Sequence, residues 1–368
     1  MLKKIKAMSC RRVLIFILVI LPFHYVVPQG VSETRTFMKS FPAGKESILE
    51  VTNKYGKVEI TTWEKDSASI RAEIKASAPN QSKLGKMFDE ISVKITGTGN
   101  LLLAQTIFNQ SINALFENFK GMTNKVINYD SHVEINYYIK VPLYINLRID
   151  NRYGDVFCEK NSGDFDLTLS NGSFKADMPG SKSNLKLSFC DATINTFRSG
   201  IVDASFSDIT ISDVEKISLK SISSKYRINK GGEIKIESRR DNLLIDQADQ
   251  LEGNSYFTDF DIRSLNKVVN LISRYGNLNI DNIGTKFESA NINSGFSDIS
   301  LRFDPETSYK FEIRTLNSFL ALPSKNVKSE ERAISEDKKE FMTTGTSGLE
   351  PGNRILKIDA NRGKIYLK

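Results

Sequence analysis

A few sets of side chains in this sequence could do chemistry. His132 is the only histidine after the apolar N-terminal stretch, so a Ser-His-Asp triad or a histidine metal site would rest on that one residue. It stands in an alternating run, Ser131 to Lys140, where a surface or structural histidine is the simpler account. Cys158 and Cys190 stand two repeats apart and at different points of the repeat, which predicts small buried thiols and no bridge. The pairs Gly154-Asp155, Ser207-Asp208 and Ser297-Asp298 resemble pieces of calcium-binding nonapeptides. They lack the repeated Gly-Gly and the close spacing, and read as turn residues. No Gly-rich phosphate loop and no HExxH occurs, and no carboxylate pair is marked out for acid–base work. These observations predict no catalytic residue, no cofactor and no metal.

The set that does recur is aromatic. Tyr55, Tyr153, Phe206, Phe257, Tyr275 and Phe296, with Phe189 beside them, each precede a small turn residue. Such residues could face a ligand such as a sugar, or they could stack on one another where successive coils turn a corner. The spacing favours the corner ladder.

That spacing leads to the elements that must position them. One phrase returns as Tyr153-Gly154-Asp155-Val156-Phe157-Cys158, Phe206-Ser207-Asp208-Ile209-Thr210-Ile211, Tyr275-Gly276-Asn277-Leu278-Asn279-Ile280 and Phe296-Ser297-Asp298-Ile299-Ser300-Leu301. Its last apolar position falls at Cys158, Ala176, Ile194, Ile211, Ile228, Ile245, Ile262, Ile280, Leu301 and Leu322, in steps of 17 to 21 residues. A short fixed period marks a solenoid, in which each coil buries its apolar face against its neighbours. Apolar residues at i and i+2, separated by Gly, Ser, Asn and Asp, make the coils strands. Ten such coils would extend roughly 45 Å. A left-handed hexapeptide helix wants an aliphatic residue every sixth position, and the uneven gaps here exclude it. Pectin-lyase-type helices use longer coils and an outward cluster of Asp, Arg and Lys that is not evident. The expected fold is all-β, a right-handed parallel β-helix or β-solenoid with 17–21-residue coils.

The rest of the chain frames this core. Residues 1–30 carry Lys3, Lys4, Lys6, Arg11 and Arg12, then the apolar run Val13 to Leu21, the pattern of a signal peptide too short to span a membrane. Removing those five basic residues leaves 46 Lys+Arg against 44 Asp+Glu, a net charge of +2 in place of +7. No broad basic surface is then expected, and no nucleic-acid partner. Residues 31–146 read as an N-terminal β region, with a helix where Leu84, Met87, Phe88 and Ile91 fall at helical spacing, Asn80 or Ser82 being a possible cap. Asn109 to Lys125 reads as an insert with a short helix at Ile112 to Phe119. The repeats occupy 147–324. Lys325 to Asn353 is mixed in charge, then rich in Gly, Ser and Thr, and reads as a charged flexible loop. Residues 354–368 restore the phrase as a terminal coil.

With the leader, Asn53-Lys54-Tyr55-Gly56-Lys57-Val58-Glu59-Ile60, the Val141-Pro142 strand and Asn151-Arg152-Tyr153-Gly154-Asp155-Val156, the chain resembles the putative-adhesin domain-of-unknown-function family of bacterial envelope proteins, particularly from Bacteroidota. The resemblance covers nearly the whole chain after the leader. It implies an exported β-solenoid with an adhesive role and no established catalytic residues. The insert at Asn109–Lys125 and the charged segment Lys325–Asn353 depart from it. The combined expectation is an exported, non-enzymatic protein of the periplasm, the outer membrane surface or the exterior, whose partner is a glycan, a matrix component or an envelope protein. Two alternatives stay open: an envelope-stress or signalling component bound to a membrane partner, and a polysaccharide-active enzyme.

Overall fold

The computed structural model describes residues 30–109, 131–178, 180 and 182–368. The leader and the helix expected at Ile112 to Phe119 lie outside the described residues. The N-terminal part contains β1 (Val31–Pro42), β2 (Ile48–Lys54), β3 (Val58–Trp63), β4 (Ser67–Ala78), α1 (Gln81–Asp89), β5 (Ile91–Thr98), β6 (Leu101–Phe108) and β7 (His132–Pro142). The middle contains β8 (Asn146–Arg152), β9 (Val156–Cys158), β10 (Phe165–Met178), β11 (Ser183–Ser205), β12 (Asp208–Ile222), β13 (Lys225–Arg239), β14 (Asn242–Tyr256), β15 (Asp259–Arg274), β16 (Leu278–Ile283), β17 (Ser289–Gly295) and β18 (Ile299–Phe303). The chain ends with β19 (Tyr309–Ala321), β20 (Val327–Ser335), β21 (Glu340–Ser347) and β22 (Ile355–Leu367). The described residues are thus nearly all β and solenoid-like, with one helix.

From β10 to β15 each strand pairs in parallel with the next, and β8, β9 and β16 to β18 join the same parallel stack. Leu167 faces Leu185, Val202 faces Leu219, Leu219 faces Ile236 and Tyr226 faces Leu243. These partners are 17 or 18 residues apart, the step read from the sequence. Alternation sets which residues enter the core: along β13 the pattern from Ile234 is buried, exposed, buried, exposed, buried. Ile149, Leu167, Leu185, Val202, Leu219 and Ile236 are all buried. Each such side chain contributes roughly 1.5–3 kcal/mol on leaving water.

The helix forms where its apolar spacing predicted. The Asn80 side chain caps it by accepting the Lys83 backbone N–H, and Leu84 and Phe88 are buried beneath it. Around it the N-terminal cap changes to antiparallel pairing: β1 with β4, β4 with β7, and β5 with β6.

The C-terminal end departs from expectation twice. Residues 327–347 form an antiparallel hairpin, β20 with β21, and β21 pairs antiparallel with β19. The mixed charges that suggested a loop sit on an outermost strand with most of both faces exposed. The final segment is also not the terminal coil. Strand β22 pairs with β17 and β18 on one side and with β19 on the other. The step of 21 residues from Leu301 to Leu322 therefore jumps a coil, and the end of the chain fills the gap.

Candidate binding surface

Each coil turns its corner at one residue in the left-handed region. The residues with positive φ include Tyr55 (64°), Tyr153 (56°), Phe189 (55°), Phe206 (51°), Phe257 (54°), Tyr275 (59°) and Phe296 (55°). A left-handed residue other than glycine costs roughly 1–2 kcal/mol, and Asn or Gly would be the local choice. Two contacts offset that cost. The ladder runs on through the corner, with the backbone N–H of Phe206, Phe257, Tyr275 and Phe296 donating to Ile222, Arg274, Gly295 and Asn361 carbonyls at 2.8–3.1 Å. The rings then stack on the next coil's ring.

The stacks come in three groups. Tyr55 and Tyr153 lie 5.5 Å apart at 15°. Phe189 and Phe206 lie 5.0 Å apart at 5°. Phe257, Tyr275 and Phe296 form a run with centroids 4.9 and 5.0 Å apart at 11° and 15°. Asn171, Ser223 and Arg240 take the same left-handed corner between the groups. Phe206, Phe257, Tyr275 and Phe296 are 46–54% exposed. Since their faces lie against one another, what reaches solvent is mostly ring edge. An edge carries the positive end of the ring quadrupole and suits oxygen acceptors better than the stacking of a sugar face.

The small residue after each ring has a structural task that spacing alone did not show. Ser207 Oγ accepts the Cys190 N–H, Ser224 Oγ accepts the Ser207 N–H, Asp241 Oδ1 accepts the Ser224 N–H and Thr258 Oγ1 accepts the Asp241 N–H. One coil's side chain thus satisfies the previous coil's corner amide. Where the residue is Gly276, the reason is room: a Cβ there would come within 1.9 Å of the Thr258 carbonyl oxygen. Asp241 is buried and also accepts from Ser238 Oγ at 2.6 Å and the Arg239 N–H at 3.2 Å.

The remaining candidates fall into place. Asp155 and Asp298 each accept a backbone N–H from the adjacent coil, of Ser173 at 2.8 Å and of Lys364 at 2.9 Å. His132 begins β7 and lines a shallow cavity of about 350 Å³ with Tyr55, Tyr153 and Glu134. Cys158 and Cys190 are free and buried. Burial pushes the Cys158 thiol up to about 12 and also raises that of Cys190, so neither is poised as a nucleophile. Among the described residues, no group of three or more His, Cys, Asp or Glu could hold a metal ion, and no helix is long and apolar enough to cross a membrane.

No protein-family model matches the chain, and no curated protein does. Solved structures do. The chain is similar to a "putative cell adhesion protein" of Clostridium sporogenes, at 11% identity, 91% coverage of this chain and 99% of that one, with a TM-score of 0.20. It is similar to a "putative adhesin" of Parabacteroides distasonis, at 8% identity, 91% and 97% coverage and a TM-score of 0.35. A third, a "putative adhesin" of Bacteroides fragilis, shares 10% identity over 91% and 97%, with a TM-score of 0.23. These descriptions are of the same kind as the family that the sequence resembles.

Proposed function

We propose that this chain is an exported, non-enzymatic protein of the cell envelope, a right-handed parallel β-solenoid that presents a rigid, adhesin-like surface to a glycan, a matrix component or an envelope protein. The observation that carries this reading is the half-exposed aromatic corner. Large rings stand in line on a stack of coils whose backbone bonds continue through each turn. Exposed apolar groups in a row mark interaction surfaces. The side chains with chemical potential, Asp155, Asp298 and the two thiols, are engaged in holding coils together or are buried.

The test is binding of the leader-free chain to a glycan and matrix-protein panel, together with protease shaving of intact cells. Retention on at least one glycan or matrix component, with the protein accessible outside the cell or in the periplasm, supports the proposal. Release of reducing ends from a polysaccharide panel would replace it with an enzyme. Specific recovery of an inner-membrane protein would replace it with a sensing role.

A further inference from the structure

The aromatic corner does not stand alone. The ladder registers place a second outward column beside it, one residue earlier in each coil: Arg239 faces Tyr256, Tyr256 faces Arg274, Arg274 faces Gly295 and Gly295 faces Asn361. Neither this column nor the corner column contains an acidic residue anywhere from Lys54 to Arg362. Toward the C-terminal end the cations recur at every second coil. Arg239 and Arg240 stand on one coil, Arg274 two ladder steps on, and Arg362 two steps beyond that. Two steps are about 9.5 Å. Tyr256, Phe257, Tyr275 and Phe296 fill the coils between them and beside them. Arg239, Arg240 and Arg362 are exposed, whereas Arg274 is half-buried and its guanidinium donates to the Ser273 and Asn293 carbonyls and to Asn293 Oδ1 at 2.8–3.0 Å. The Arg362 guanidinium lies 5.1 Å from the Phe296 ring centre, which keeps it on the ridge.

Of the acids nearest the ridge, Glu237 is exposed two residues before Arg239 on the same strand, and the others are engaged. Asp259 and Asp298, beyond the corner, accept the backbone N–H groups of Asn277 and Lys364. Asp359 lies 3.5 Å from Arg314, and Asp241 is buried. At Gly295 the column loses its side chain, and a cavity of about 380 Å³ opens there, lined by Arg274, Tyr275, Phe296 and Asn361 among others.

From this juxtaposition we infer that the ridge from Arg239 to Arg362 binds a linear acidic polysaccharide, its carboxylates on the exposed guanidinium groups of Arg239, Arg240 and Arg362 and its ring oxygens against the aromatic edges between them. The inference rests on the adhesive reading and names its ligand class. A linear polymer is favoured because the exposed arginines stand four ladder steps apart on one edge of the stack, about 19 Å. Carboxylates suit the planar guanidinium fork. A neutral glycan would need open ring faces, whereas Tyr275 is stacked on both sides and Phe296 lies against Tyr275 and the Arg362 guanidinium.

The experiment is affinity electrophoresis and calorimetry of the leader-free chain with polygalacturonate, and with dextran as a neutral polymer. Arg240→Ser and Arg362→Asn are the variants, because Ser223 and Asn317 occupy the same left-handed corner in other coils. Polygalacturonate should retard the chain and dextran should not. Each variant should weaken binding about tenfold, with an unchanged melting temperature. Equal retardation by dextran, or full binding by the double variant, overturns the inference. So does retention only on anionic lipid vesicles, which makes the ridge a membrane-surface site. Binding to other glycans or to matrix at another face removes this ligand and leaves the adhesive reading standing, whereas no binding to any panel member removes both.

Discussion

At the scale of single residues, the phrase that organises the sequence is a corner joint with two parts. The ring accepts a left-handed backbone because it stacks on the next coil, and the following small residue satisfies an amide of the previous one. Tyr275→Asn separates these parts. Asn suits the left-handed backbone, so the substitution relieves strain while removing contacts to both Phe257 and Phe296. A net loss of about 1–2 kcal/mol is expected in urea denaturation; an unchanged or raised midpoint would mean the stack does not stabilise the corner. Asp241 tests the second part. Asp241→Ala leaves the Ser224 and Arg239 amides and the Ser238 hydroxyl without their acceptor, at about 2–3 kcal/mol. Asp241→Ser should cost less than half of that, because serine fills this place at Ser207, Ser224 and Ser297. The buried thiol and phenols give a pH dependence. Burial raises Cys158 from 9.0 to about 12, and raises Tyr137 and Tyr309 from 10.0 to about 12. In each the folded chain holds its proton above the pH at which the unfolded chain releases it. The stability from these protonated forms is fully present below pH 9 and is lost as pH rises from about 9 to about 12. Because burial raises Cys190 from 9.0 as well, replacing both thiols, Cys158→Ala with Cys190→Ala, should delay the onset of that loss in urea midpoints from about pH 9 to about pH 10.

At the scale of elements, what was legible followed from alternation and period. Leu167, Leu185, Val202 and Leu219 repeat at 17 or 18 residues because each must sit on the last, and the structure pairs Leu167 with Leu185 and Val202 with Leu219. Helix α1 was legible because Leu84 and Phe88 share one buried face. Strand β20 was not. Its middle residues are exposed on both faces, so no periodic burial marks it, and Lys328, Glu330, Glu331 and Arg332 read as solvated chain. The same charges explain its place. Among the described residues β20 pairs with β21 alone, so its other edge is open to any passing strand. Charged side chains on an edge oppose such pairing. Glu330→Val with Arg332→Val removes charge of both signs and leaves the net charge unaltered. The double variant should self-associate with concentration in sedimentation velocity while the parent chain does not. A monomeric variant would show that the edge is protected by something other than charge. The arginines of the corner were missed for a related reason: Arg240 and Arg362 break the aromatic pattern, and only the ladder registers show that they share its column.

At the scale of the whole molecule, a period states how coils resemble one another and not which coil lies on which. That is why the order at the C-terminal end could not be read from the sequence. Strand β19 follows β18 in the chain yet does not pair with it; β22, last in the chain, pairs with both. The end of the chain therefore joins the cap made by β19, β20 and β21 to the rest of the stack. The aromatic cluster of Phe287, Phe303 and Tyr309 also crosses this junction, with Phe303 and Tyr309 stacked at 3.9 Å. In a stack of coils stability is carried largely by nearest neighbours. Deleting residues 354–368 removes one ladder partner from each of β17, β18 and β19, leaving them β15, β16 and β21, and uncovers Ile292, Ile299 and Ile313, all buried in the intact chain. The coils from β8 to β14 keep every partner they had. Hydrogen exchange on the shortened chain should then show loss of protection from about residue 289 to 347 and near-native protection from 147 to 256. Uniform loss along the chain would mean that the stack folds as one cooperative unit from end to end. Unchanged protection of β19 to β21 would mean that the aromatic cluster alone holds the cap in place. Residues 354–368, with their own corner at Arg362, thus decide whether the coils beyond β18 exist, because β22 lies between β18 and β19 in the stack.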